Sequence, residues 1–356
     1  MCNSNGIHGE GNLRQWLQNK NNKLSLENKF DKLRDIAWGL SNIHQKRLIH
    51  QDLHSGNILN YYRNYKNKEF FPSAVSDLGL SQIANYQKQD GQIFGVLPYV
   101  APEVLRGEPY TQTSDVYSFG IVAYELLANA YPYPEMDDMN LSLKVCHQGL
   151  RPDIDKVLIP QLLRDLIKDC WDISSNKRPN SRELWKTILN WKSEVVTKKS
   201  TIFYHQYQVI ENEYNHFSQN TPYQIHPVAV TTSKMIDTKK IAELVKKMQE
   251  NEQTLSRLTK IAEQIKEIER KVEKTKNSLD SELVDKFIET KKKLIKDKKN
   301  KEIKIEARKL GKQLEEKGLS EEKLEEIIRY CENLVELEQQ LEKEQSQSQI
   351  EIPPKK

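Results

Sequence analysis

Cysteine is scarce in this 356-residue chain, and the few present are scattered: Cys2, Cys146, Cys170 and Cys331. No two of them form a C-x-x-C pair. A disulfide framework or a zinc site is therefore not expected, and a reducing, cytoplasmic setting is the default reading. Long apolar runs are missing too. The longest, FGIVAYELLA at 119–128, is too short and too interrupted to span a bilayer. The opening residues MCNSNGIHGEGNLRQW carry no apolar stretch of the secretory type, and Cys at position 2 excludes N-myristoylation. Excess charge of one sign is also lacking. A net charge of +4 is small for this length and argues against nucleic acid or membrane as a partner.

What is present divides into zones. Length alone suggests two or three domains. Hydrophobic content of 37% beside 30% charged residues suggests a core-forming part joined to a solvated one. Residues 1–8 read as a flexible N-terminus. Residues 9–195 mix apolar periodicity with Gly, Pro and Trp, as a packed domain does. Residues 196–236 are polar and irregular and read as a linker. Residues 237–345 are rich in Lys, Glu, Leu and Ile and lack proline, the composition of long helices. Residues 346–356 read as a disordered tail.

In the packed zone, Phe30, Leu33, Ile36, Ala37, Leu40 and Ile43 recur at helical spacing and predict a helix over 27–45. LIH at 48–50 and SAVSDLGLS at 73–81 read as strands, the second breaking at Gly79. SDVYSFGIVAYELLAN at 114–129 opens with Ser/Asp capping chemistry and is apolar nearly all round, which predicts a central helix. QLLRDLIKDCW and SRELWKTILNW predict two further amphipathic helices.

Five short motifs follow one another: HQDLHSGN at 50–57, DLG at 77–79, APE at 101–103, DVYSFG at 115–120, and KRP at 177–179 after Cys170 and Trp171. Singly, each is a weak signal, and Asp52, Asn57 and Asp77 read as well as turn residues in solvated loops. In this order and at these separations they resemble the eukaryotic protein kinase family, specifically its larger C-terminal lobe in the tyrosine-kinase-like style, over residues 9–195. The resemblance implies a mainly α fold and ATP-dependent phosphoryl transfer to protein Ser/Thr or Tyr hydroxyls, with Mg2+ as the cation.

Such transfer relies on positioning and charge neutralisation rather than covalent help. By the resemblance, Asp52 accepts or orients the substrate hydroxyl, and His50 packs in the support of its loop. Asn57 and Asp77 hold the magnesium ions that bridge the ATP phosphates, for which hard oxygen ligands are suited. Gly79 gives the backbone freedom to aim Asp77 into the cleft. Three residues are implied to be structural: Glu103 ion-paired with Arg178, and Asp115 bonding the backbone of the 50–57 loop from below.

The pattern has departures. In the family a β-rich N-terminal lobe supplies a glycine-rich loop, a strand lysine and a helix glutamate. Only 49 residues precede His50 here, and GNLRQWLQNK at 11–20 already resembles the first helix after the hinge. GIHGEG at 6–11 has the glycine spacing reversed. The expectation is a cleft with a floor and no roof. Losing one preorganised donor typically costs ~10²–10³ in rate. Gln51 stands where the family carries Arg, so activation by loop phosphorylation is less expected. His54 and Val96 match neither the Ser/Thr-type nor the Tyr-type pattern.

In the last zone, Ile241, Leu244, Met248, Leu255, Leu258, Ala262 and Ile265 fit an a/d heptad with Asn251 at a d position, and Val272 and Leu279 continue the d series. Gly311 and Gly318 interrupt it, and Ser320 is placed to cap a further helix. The zone is either a coiled coil that self-associates or a helical hairpin folding on itself or against the packed domain. Two functions remain open: a kinase whose small lobe is outside this sequence, or a catalytically impaired, kinase-derived scaffold whose helical tail gathers a protein substrate, signalling partner or second copy.

Overall fold

Short β pieces and amphipathic helices alternate through the first half of the chain, and their order sets up the loop at 50–57. The computed structural model describes residues 7–19, 24–65, 68–70, 72–83, 91–216, 223, 231–276, 281–298 and 300–347. Cys2, Leu279, residues 1–6 of the expected flexible start and residues 348–356 of the expected tail lie outside the described residues. The chain is mostly helical and forms two compact units, Met1–Lys246 and Lys247–Lys356.

The first unit runs β1 (Ile7–Asn12), α1 (Leu13–Gln18), α2 (Leu26–Gln45), β2 (Leu48–Ile49), β3 (Ile58–Tyr65), β4 (Lys68–Phe70), β5 (Ser73–Val75), β6 (Gln82–Ile83) and β7 (Gln92–Gly95). It continues with α3 (Pro102–Leu105), α4 (Gln112–Ala128), α5 (Asp138–His147), α6 (Gln161–Cys170), α7 (Ser181–Thr197), α8 (Ile202–His216), β8 (Lys234–Asp237) and the first turns of α9 (Thr238–Lys276). α4 is the axis. Thr111 and Ser114 cap it reciprocally, and Val116, Tyr117, Phe119, Ile121, Val122 and Leu126 are all buried. α2, capped by Ser25, lays Phe30, Leu33, Ile36, Ala37 and Leu40 into the same core.

Two expectations are corrected. Residues 196–236 are not simply a linker, because α8 forms there. Phe203 stacks on Trp191 with ring centroids 4.5 Å apart and meets Phe30 edge-on at 5.4 Å, and Tyr207 meets Phe30 at 6.1 Å. Burial of these rings holds the helix on the domain. Residues 7 and 8 are not a loose end either. They belong to β1, antiparallel to β3, and Asn12 closes a capping box with Gln15 at the start of α1.

β3 also pairs with β4 and β5, while β2 pairs with β6 and β7 with β8. The strand expected over 73–81 stops at Val75, because Asp77 takes a left-handed backbone with φ 59°.

The second unit comprises the rest of α9 with α10 (Ser281–Lys296), α11 (Lys301–Glu316) and α12 (Glu321–Gln347). Val272, Val284, Phe287, Leu314, Ile327 and Cys331 form its core. α11 passes through Gly311 without a break, and Ser320 Oγ accepts from the backbone nitrogen of Lys323 at 3.4 Å as α12 begins. The d-position residues Leu258, Ile265 and Val272 are buried, whereas Leu255 is 53% exposed, so the packing uses one side of the heptad pattern. Among the described residues, no helix is long and apolar enough to cross a membrane.

Candidate active site

β2 delivers the chain into the 50–57 loop, and Asp115, in the first turn of α4, fixes the loop's entry. Its Oδ2 accepts from the backbone nitrogen of His50 at 2.7 Å and its Oδ1 from that of Gln51 at 2.9 Å. The ring of His44 adds a third bond, Nε2 donating to Oδ2 at 2.9 Å while Nδ1 accepts from Ser181 Oγ at 2.8 Å. Gln51 sits at φ 70°, a conformation that costs a non-glycine residue free energy. The buried carboxylate beneath it offsets that cost with charge-assisted bonds.

His50 is fully buried. Its Nε2 donates to the carbonyl of Ser76 at 2.9 Å, and its Nδ1 accepts from the backbone nitrogen of Asp52 at 3.3 Å. The ring therefore carries its proton on Nε2 and straps the loop to the segment after β5.

Asp52 lies next along the loop and is buried. Asn57 Nδ2 donates to the Asp52 carbonyl at 2.8 Å and more weakly to its Oδ2 at 3.3 Å. His54 Nδ1 accepts from the backbone nitrogen of Gly56 at 3.0 Å, which turns Nε2 toward Asp52 Oδ2, 3.6 Å away. Burial pushes the Asp52 carboxyl up, but His54, a hydroxyl from Ser233 and His50 pull it down further, so it rests below the ordinary carboxylate range. Asp52 is thus an anion at neutral pH, fit to orient a hydroxyl and take up its proton.

The segment carrying Asp77 is sewn to the same loop. Ser76 donates to the carbonyl of Asn57 from both its backbone nitrogen (2.9 Å) and its Oγ (2.8 Å), and Ile58 registers opposite Val75. Asn57 and Asp77 are thereby brought to the same end of the β3–β5 pair. The Asp77 carboxylate is exposed and accepts from Gly79 N at 3.2 Å. The left-handed residue is Asp77 itself, not Gly79, so the turn does not rest on the glycine as expected.

With Nδ2 of Asn57 committed to Asp52, its Oδ1 is the atom left to face a cation, and Asp77 offers an exposed carboxylate at the same end of the β3–β5 pair. Two hard oxygen donors suit magnesium, which commonly keeps waters and phosphate oxygens for its other positions. Among the described residues, no three His, Cys, Asp or Glu side chains cluster to hold a metal unaided. Two donors of this kind fit a cation that takes its remaining ligands from water and phosphate.

Glu103 and Arg178 meet as a buried, two-point pair, Nη1 to Oε1 at 2.6 Å and Nη2 to Oε2 at 2.8 Å. Arg178 also donates to the carbonyls of Asp172 and Thr113 and stacks over Tyr117, so the guanidinium is anchored on several sides.

Sequence reasoning missed a second polar cluster behind the loop. Glu125 on α4 is fully buried and accepts from Ser55 Oγ at 2.8 Å, Tyr99 at 2.7 Å and the hydroxyl of Tyr223. Arg14 on α1 lies 3.9 Å from it. A single charged residue inside an apolar stretch was the available signal, since Glu125 interrupts the run FGIVAYELLA. A cavity of about 540 Å³ opens beside the loop, lined among others by Gln51, Gln82, Arg106, Tyr110 and Lys239. Asp52, Asn57 and Asp77 do not line it.

The chain is similar in sequence to known proteins. A family profile described as "Protein tyrosine and serine/threonine kinase" matches residues 7–188. A Dictyostelium discoideum protein named as a probable serine/threonine-protein kinase is 36% identical over 150 residues, covering 42% of this chain and 11% of that protein. A dual specificity protein kinase of the same organism is 32% identical over 188 residues, covering 49% of this chain and 8% of its own length. A serine/threonine-protein kinase of Arabidopsis thaliana is 30% identical over 185 residues, covering 52% and 31%. The chain spans less than a third of the length of each of these relatives.

Proposed function

The chain belongs to the protein tyrosine and serine/threonine kinase family, and on that premise we propose that it transfers a phosphoryl group from ATP to serine or threonine hydroxyls of a protein. In this reading Asp52 orients the acceptor hydroxyl and takes its proton. Asn57 and Asp77 are the ligands of a magnesium ion, which when bound neutralises phosphate charge. His50 and Asp115 hold the loop in shape. Glu103 and Arg178 tie α3 to the helical core.

The observation that carries the reading is the strapping of Asp52, Asn57 and the Ser76–Asp77 segment into one unit by five hydrogen bonds of 2.8–3.3 Å. The names of two of the similar proteins support serine and threonine as acceptors, and the third is named as having dual specificity.

Gln51 favours a second reading. Its side-chain nitrogen donates to Gln82 Oε1 at 3.3 Å and offers no charge to an activating phosphate. A catalytically impaired scaffold, with the helical tail as its partner-binding part, is the alternative. Magnesium-dependent transfer of labelled phosphate from ATP to casein separates the two. The kinase reading expects label that Asp52→Ala abolishes. Label that survives Asp52→Ala, or none at all from the unaltered chain, removes it.

A further inference from the structure

The hydroxyl against Asp52 comes from far along the chain. Ser233 Oγ donates to Asp52 Oδ2 at 2.5 Å, across 181 residues of sequence, although Ser233 itself is exposed. An exposed serine has water for a partner and no need of a buried carboxylate. Its position is set by what precedes and follows it.

On the near side, the carbonyl of Thr231 accepts from Arg14 Nη1, and Tyr223 reaches buried Glu125. On the far side, β8 pairs antiparallel with β7, Lys234 opposite Gly95 and Ile236 opposite Ile93. Lys234 is ion-paired with Asp138, and Ile236 is buried. Thr238 ends the strand by donating to the carbonyl of Gly91 from its backbone nitrogen at 3.0 Å and its Oγ1 at 2.8 Å. Gly91 suits that position. Its φ is +64°, and a Cβ would meet the Lys239 side chain at 2.5 Å.

The chain thus lays an extended strand along β7 and, one residue before the first paired position, turns a hydroxyl onto Asp52. This is β-augmentation of a kind usually reserved for peptide ligands: main-chain pairing holds the segment, and one side chain reads the site.

We propose that residues 231–238 are a built-in acceptor strand, that Ser233 is the hydroxyl this chain phosphorylates in cis, and that until then the strand bars other acceptors from Asp52. The inference rests on the kinase reading above. In the step, Ser233 Oγ forms a bond to the γ-phosphorus of a nucleoside triphosphate. The bond from that phosphorus to the β–γ bridging oxygen breaks, the nucleoside diphosphate leaves, and the hydroxyl proton passes to Asp52 Oδ2. The product carries a charge of about −1.5 to −2 beside a carboxylate. Like charges repel at that separation, so phosphorylation expels the strand and opens the site.

The test uses the full chain, freed of phosphate and incubated with ATP and Mg2+ at concentrations spanning a hundredfold, followed by peptide mass mapping. The expected result is phosphate on Ser233 with a half-time independent of protein concentration, lost in Ser233→Ala. Transfer to casein with Ser233 unmodified overturns the proposal and leaves the kinase reading standing. Transfer to neither overturns both. A rate proportional to concentration assigns the event to a second molecule and overturns the cis claim.

Hydrogen exchange supplies a readout that needs no turnover. The backbone amides of 92–95 and 234–237 are expected to exchange slowly, and Ser233→Asp, which mimics the charge, to exchange at least tenfold faster. Fast exchange in the unaltered chain overturns the docking.

Discussion

Asp115 Oδ1 accepts a 2.9 Å bond from the backbone nitrogen of Gln51, a residue held at φ 70°. The carboxylate and the strained peptide explain one another: the twist aims two successive backbone nitrogens at a single anion, and the anion makes the twist tolerable. Asp115→Asn keeps the shape but places an amide donor against donors. Loss of the buried bond is expected to lower stability by about 1–3 kcal/mol. Urea denaturation measures it, and phosphate transfer should fall more steeply than the folded fraction because Asp52 follows directly.

Glu103 and Arg178 form the other buried device, at 2.6 and 2.8 Å. Arg178→Met alone strands a carboxylate and is expected to cost ~3–5 kcal/mol. Adding Glu103→Leu removes the stranded charge, so the double variant should be more stable than the sum of the two single losses implies. A double-mutant cycle in urea reads the coupling, and strict additivity would mean that the pair does not interact.

Asp77 gives a prediction of the opposite kind. Its carboxylate is exposed and its left-handed backbone suits asparagine. Asp77→Asn should therefore leave stability within about ±0.5 kcal/mol. Magnesium-dependent transfer should nevertheless fall on the order of a hundredfold or more, with the magnesium requirement moved to higher concentration. A melting curve beside a magnesium titration distinguishes a ligand from a structural residue.

Lys29 tests burial of a charge. Its ammonium donates to the carbonyl of Leu127 at 2.7 Å, and desolvation lowers its pKa to about 8. The folded state therefore sheds this proton before the unfolded state does. Between about pH 8 and the ordinary lysine value near 10.4, the unfolded chain binds more protons, so stability from this site rises with pH. Comparing the unaltered chain with Lys29→Met isolates it: the difference should shift in favour of lysine as pH rises from 8 to 10, and stay flat below pH 7.

Much of the first unit was legible in the chain. The 3.6-residue rhythm from Phe30 to Leu40, the apolar turns after Asp115 and the amphipathic periods of QLLRDLIKDCW and SRELWKTILNW are local signals, and α2, α4, α6 and α7 lie where they point. α8 was equally open to reading, since Phe203, Tyr207, Ile210 and Tyr214 recur at helical spacing. The surrounding Asn and Pro residues give the segment the composition of a loop, which masks that period. β1 and β8 were not legible, because a short strand is stabilised by the partner it meets, and their partners lie tens to more than a hundred residues away.

The residues able to do chemistry were fixed by their types and spacing along the chain, because a short loop between a strand and a turn confines an aspartate and an asparagine five positions apart to one patch. Tertiary packing alone decided which groups reach that patch from elsewhere. The two-pronged grip of Asp115, the buried Glu125 cluster and the Ser233 hydroxyl on Asp52 depend on chain closures over 64, 70 and 181 residues. No local preference encodes such closures; they follow from where the buried apolar surfaces bring the backbone together.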